Sequence, residues 1–142
     1  MKKLLLLFAI VLFSLSSCHN DDDKKTDDPL LHMWTLVSVK GGFAGTDVTF
    51  DERVILWKFK ANGTIEITNS NQDKTKEDYF ETGSYDYKVK NNTAQILDCP
   101  KSMDVDNINF SCYKIDESGR LILDSAPADG HTLTFYRTDL PL

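Results

Sequence analysis

From residue 32 onward, apolar and polar positions alternate with a period of two in short runs. No stretch carries the i, i+3, i+4 stripe of an amphipathic helix. Eight runs read as strands, at 33–40, 52–60, 64–69, 83–90, 93–97, 108–116, 120–124 and 131–137. Ile55, Trp57 and Phe59 share one face of the second, and Ile65 and Ile67 one face of the third. Tyr85, Tyr87 and Val89 do the same in the fourth, Leu121 and Leu123 in the seventh, and Leu133 and Phe135 in the eighth. Turn residues punctuate them: Gly41-Gly42, the Asn62-Gly63 pair suited to a tight hairpin, Asn91-Asn92, and Glu117-Ser118-Gly119. The longest polar link covers residues 72–77.

Hairpin-length links force neighbouring runs into antiparallel pairs. Eight sequential antiparallel strands with one apolar face each can close on themselves and so remove their exposed edges. The expectation is therefore an all-β, eight-stranded antiparallel up-and-down barrel over residues 30–142. A two-sheet sandwich satisfies the same alternation and stays open as the rival. About 110 residues make one domain with one core.

The first thirty residues are of another kind. Lys2 and Lys3 precede an apolar stretch over 4–13, which is too short to span a bilayer and has the order of a secretory signal over residues 1–17. Leu15-Ser16-Ser17-Cys18 resembles the lipobox of bacterial lipoproteins, which implies that Cys18 becomes the first mature residue and carries lipid. His19-Asn20-Asp21-Asp22-Asp23-Lys24-Lys25 resembles the acidic export signal of surface lipoproteins of the Bacteroidetes. That resemblance implies an outer-membrane lipoprotein displayed on the cell surface. As plain physical chemistry, residues 18–29 are a solvated acidic tether that has no reason to fold. Loss of Lys2 and Lys3 with the signal takes the formal charge from −6 to −8, an acidity that argues against nucleic acid and anionic lipid surfaces as partners. Contact with membrane is expected through the lipid on Cys18.

Leu31-His32-Met33-Trp34-Thr35-Leu36-Val37-Ser38-Val39, followed by Gly41-Gly42, resembles the first strand of lipocalin-like domains in Bacteroidetes lipoproteins, with His32 where those have glycine. Leu133-Thr134-Phe135-Tyr136-Arg137 resembles their closing strand. The resemblance implies a lipocalin-like barrel in which Arg137 lies on Trp34 and the pair seals the closed end. A guanidinium over an indole is worth about 0.5 to 2 kcal/mol.

Cys99 and Cys112 are the thiols left once Cys18 is lipidated, and an exported setting makes a disulfide the default. If the chain reverses near Met103, however, Cys99 faces Asn107 and Cys112 faces Ala94. The bond then requires 99–101 to fold back over the next strand. His32 and His131 open the two strands that close the barrel and are candidates to share a metal with an acid such as Asp129; no third strong ligand follows from spacing, so no metal or other cofactor is expected. Asp104-Val105-Asp106-Asn107 lacks the glycine and the terminal glutamate of a calcium loop and reads as a turn. No nucleophile elbow or phosphate loop occurs, and no catalytic residue is assigned: the chain is not read as an enzyme. Asp124-Ser125-Ala126 resembles a short O-glycan acceptor of exported Bacteroidetes proteins, which implies glycosylation of Ser125 on an exposed loop.

Trp57, Phe59, Tyr85, Tyr87, Phe110 and Tyr113 either line a small-ligand pocket or fill the lumen, since an eight-stranded barrel is just wide enough for either. Two functions follow. The first is a binding protein for a small apolar or amphipathic ligand, as the resemblance implies. The second is a solid-core barrel that binds a protein, as an accessory or inhibitory module, through loops at 41–51, 69–81 and 99–107. Interior packing separates them.

Overall fold

The computed structural model describes residues 28–92, 99–125 and 129–138. The expected signal, Cys18, most of the expected tether and the expected strand at 93–97 lie outside these. The described chain is all-β: β1 (Met33–Gly41), β2 (Thr46–Thr49), β3 (Ile55–Phe59), β4 (Thr64–Asn69), β5 (Gly83–Asn91), β6 (Lys101–Val105), β7 (Ile108–Phe110), β8 (Cys112–Ile115), β9 (Leu121–Asp124) and β10 (His131–Thr138). Nine strands run in the order β7-β6-β5-β4-β3-β1-β10-β9-β8, every pair antiparallel, and β2 pairs with β1 beside this path. The first and last long strands pair with each other, so the sheet curls into a nearly closed barrel. Its two edge strands, β7 and β8, are separated in sequence by Ser111 alone.

Alternation supplies the core. Ile55, Trp57, Phe59, Ile65, Ile67, Leu121, Leu123, Leu133 and Phe135 are buried at every second position of their strands, as the sequence predicts. In β1 the rhythm breaks. Trp34 pairs with Arg137 and Leu36 with Phe135, but the next partnered residue is Ser38, opposite Thr134. The extra residue, Val37, forms a bulge that resets the phase, so Trp34, Leu36 and Val39 all turn inward.

Three expectations are corrected. The run 108–116 divides at Ser111 into β7 and β8, which pair with different neighbours. The partner of β5 is β6, a segment read as loop, and in place of a two-residue turn at Asn91-Asn92 the Asn92 N–H donates to the Pro100 carbonyl. The β6–β7 hairpin reverses at Asp106-Asn107, where Asp106 takes a left-handed φ of 50°, and not near Met103. That shift brings Cys99 and Cys112 to a Cα separation of 5.5 Å, and they are joined as a disulfide. The bond ties the residue leading into β6 to the start of β8, across the gap between the sheet's edges.

The barrel has two distinct ends. At the entry end the chain arrives through residues 28–32, Leu30 is buried, and the Trp34 indole Nε1 donates to the Leu30 carbonyl at 3.0 Å. Met33 pairs there with Thr138. At the opposite, loop end, Gly41 pairs with His131, and the β1–β2 hairpin, residues 70–82 and the β9–β10 connection come together.

Candidate functional site at the loop end

His131 opens β10 beneath three loops, with both ring nitrogens partnered. Nδ1 lies 3.0 Å from the Tyr79 hydroxyl and Nε2 3.2 Å from Thr46 Oγ1. The Tyr79 hydroxyl is also 3.4 Å from Ser125 Oγ, which accepts the His131 main-chain N–H at 2.8 Å. One imidazole thus ties the start of β2, the 70–82 loop and the end of β9 together. Gly42 makes room for it: with φ +73° it takes a conformation glycine favours, and a Cβ there would sit 2.6 Å from His131 Nε2.

Tyr79 is held in the left-handed region at φ 67°, unusual for a bulky residue. The physical reason is at hand. Tyr79 sends its ring onto Phe110 (5.8 Å between centroids), and the next residue, Phe80, packs against Trp57 (5.3 Å). Two consecutive side chains pointing inward violate the alternation of extended chain, and the inverted φ resolves the conflict. Burial pushes the Tyr79 phenol above its ordinary pKa, so it stays a neutral hydroxyl.

The rest of the 70–82 loop is fixed by its own polar residues. Asn71, nearly buried, donates to the Asp73 carbonyl and to Asp78 Oδ2, and Asp73 Oδ1 accepts from the Thr75 N–H and hydroxyl. Those Thr75 bonds, the hydroxyl's first, hold the Asp73 carboxyl below its usual pKa. Lys76 Nζ donates to the Thr49 carbonyl and lies 5.4 Å from the Phe50 ring centre, which pins the loop to the chain after β2. Above this braced surface stands Phe43, at the tip of the β1–β2 hairpin, 96% exposed.

Both nitrogens of His131 and the hydroxyl of Ser125 are engaged in holding loops, which leaves neither arranged as an attacking group with its base. Ser125, expected on an exposed loop, is half-buried at the end of β9. His32 and His131 do not meet: they belong to opposite ends of the β1–β10 ladder, about 25 Å apart at 3.3 Å per residue. Among the described residues no three His, Cys, Asp or Glu side chains gather as metal ligands.

The six expected lumen residues are brought together. Trp57, Phe59, Phe110 and Tyr113 are buried, and Tyr85 and Tyr87 pack half-buried against them. Trp57 meets Phe135 at 4.8 Å and Phe59 at 6.3 Å, Phe59 meets Tyr87 at 5.0 Å, and Phe80 meets Tyr85 at 5.0 Å. The Tyr85 and Tyr87 hydroxyls donate to the Glu81 and Lys60 carbonyls. Trp57 Nε1 is buried with no hydrogen-bond partner among the described residues. Arg137 stands opposite Trp34 in the ladder, but its side chain is exposed whereas the indole is buried.

The Tyr79–His131–Thr46 tie was missed from sequence because its members are 33 to 85 positions apart, and Gly41-Gly42 signalled only the end of a strand. Comparison with family profiles, with curated proteins and with solved structures finds no match to this chain.

Proposed function

We propose that this chain is a lipid-anchored, lipocalin-like module of the outer membrane surface that binds a protein partner through its loop end. The lipid anchor on Cys18 and the surface address rest on the Leu-Ser-Ser-Cys and acidic stretches of the sequence. Support for the lipocalin-like, eight-stranded reading comes from connectivity. If 108–115 is counted as one strand bent at Ser111, the path has eight members, each beside its neighbour in sequence, and the last pairs with the first.

The observation that carries the function is the braced loop end with Phe43 projecting from it. A surface already held in one shape loses little entropy on binding, and an exposed aromatic at its apex has the character of an interface anchor. The lumen points the same way, because its rings contact one another and the Tyr85 and Tyr87 hydroxyls are spent on main-chain carbonyls. On this reading the barrel is a scaffold.

The test is a photoreactive phenylalanine analogue in place of Phe43, irradiated on intact cells, with Lys88 on the exposed face of β5 as the control position. Cross-linking to a protein from position 43 and not from 88 is expected; equal or absent products from both would contradict the proposal. A second reading, a small ligand in the lumen, is favoured by one observation, the unpartnered Trp57 Nε1, which an acceptor atom on such a ligand would satisfy.

A further inference from the structure

At the entry end, opposite the loop end, lies an open groove of about 490 Å³ lined by Ser118, Gly119, Arg120, Tyr136 and Arg137. It holds two of the chain's three arginines, although the chain as a whole is acidic, and among the described residues none that lines it is a carboxylate. Arg120 is fixed from behind: its Nε and one terminal nitrogen contact Asp116 Oδ2 at 2.8 and 2.7 Å. Asp116 is in turn committed, since its Oδ1 accepts the N–H groups of Ser118 and Arg120 at 2.9 Å. A guanidinium has five N–H donors, and this clamp uses two, so the others remain on a side chain whose rotamer is already chosen. Beside it Tyr136, at 44% one of the most exposed large apolar side chains among the described residues, offers a ring face. Gly119, in the turn that forms the rim, has no atom within 4 Å of where a Cβ would stand, so the rim is open.

We propose that this groove binds a small carboxylate borne on a ring, the chemical class of a uronic acid or an aromatic acid. The planar guanidiniums match a carboxylate in two-point geometry, and Tyr136 covers the apolar face of the ring. Size separates this class from simple anions. The volume falls within the 300–1,000 Å³ of ordinary small-ligand sites and is far more than a lone carboxylate or phosphate fills. Neutral rings forgo the charged contact, and simple anions forgo the ring contact.

The test is a titration of the full chain, in an uncharged polyoxyethylene detergent, with glucuronate, benzoate, glucose and acetate, following the arginine Nε–H resonances by NMR. Saturable shifts at Arg120 and Arg137 are expected with glucuronate or benzoate, with acetate and glucose about tenfold weaker or worse. The better of the two acids identifies the ring as sugar or aromatic. Arg137→Gln is expected to weaken binding about tenfold. Tyr136→Ser is expected to erase the preference over acetate while leaving the remaining spectrum in place. Acetate binding as well as either ring acid, glucose binding as well as glucuronate, or no saturable shift at either arginine would each overturn the proposal.

Discussion

Cys99 and Cys112, 13 positions apart, are bonded across the place where the barrel's sheet would otherwise fall open. The pair joins the approach to β6 to the first residue of β8, so the closure that hydrogen bonds supply elsewhere is covalent here. Closing a loop of this size stabilises a fold by about 3 kcal/mol in the chain-entropy account. Replacing both cysteines by alanine is expected to cost about 2–4 kcal/mol in denaturant unfolding, and a loss below about 0.5 kcal/mol would mean that the seam holds without it.

Trp34 is 1% exposed at the entry end and bonded through Nε1 to the Leu30 carbonyl. Trp34→Ala is expected to destabilise by about 3–5 kcal/mol, through lost burial and the cavity left behind. Trp34→Phe keeps much of the ring but leaves the Leu30 carbonyl without its donor, and should cost less, about 1–3 kcal/mol. Urea denaturation of the two variants separates packing from the hydrogen bond, and equal losses would contradict the assignment.

Gly42 and His131 form a steric pair that a double-mutant cycle can read. Gly42→Ala places a methyl group 2.6 Å from the imidazole and forces alanine to a φ of +73°. The expected cost is about 1–3 kcal/mol. In a His131→Ala background the clash is gone and only the backbone term remains, so the same substitution should cost about 1 kcal/mol. Additive losses would show that the imidazole does not occupy the space beside Gly42.

Tyr113, 8% exposed, has its phenol pushed up to about 12 by burial first, with smaller contributions from Asp28 and Tyr87. The folded state then holds this proton more tightly than the unfolded chain, whose phenol titrates near 10. Stability from this source is complete below pH 10 and is lost as pH rises towards 12, by about 2–3 kcal/mol in all. Tyr113→Phe should flatten that part of the stability curve, measured by denaturant titration at several alkaline pH values; an unchanged slope would show that Tyr113 does not set it.

The strands that could be read from sequence were those whose neighbours impose nothing unusual. The run 64–69 coincides with β4, bounds included, because Ile65 and Ile67 alternate cleanly behind an Asn-Gly turn. β2 was missed since Thr46–Thr49 contains one apolar residue, Val48, and is held as strand by β1. β6 was missed since Pro100 and two charged residues within five positions look like loop, although Met103 and Val105 enter the core. The disulfide pair was named, but its geometry was misjudged: 104–107 was read as a turn, yet the pairing was centred near Met103, and the distance between the cysteines depends on which of the two reverses the hairpin. At the loop end the links 41–51 and 69–81 and His131 were each named from sequence, but not the contacts that join them. His131, Tyr79 and Thr46 meet only because the sheet curls into a nearly closed barrel.

The central claim is that the barrel interior is a packed scaffold and that the protein partner is bound at the loop end. Native mass spectrometry of the full chain, released from uncharged detergent after incubation with a lipid and metabolite extract of its source cells, tests it most directly. The account predicts no adduct that depends on Tyr85 or Tyr87. A reproducible adduct of a few hundred daltons, lost on Tyr85→Ala or Tyr87→Ala, would place a ligand in the lumen and contradict it.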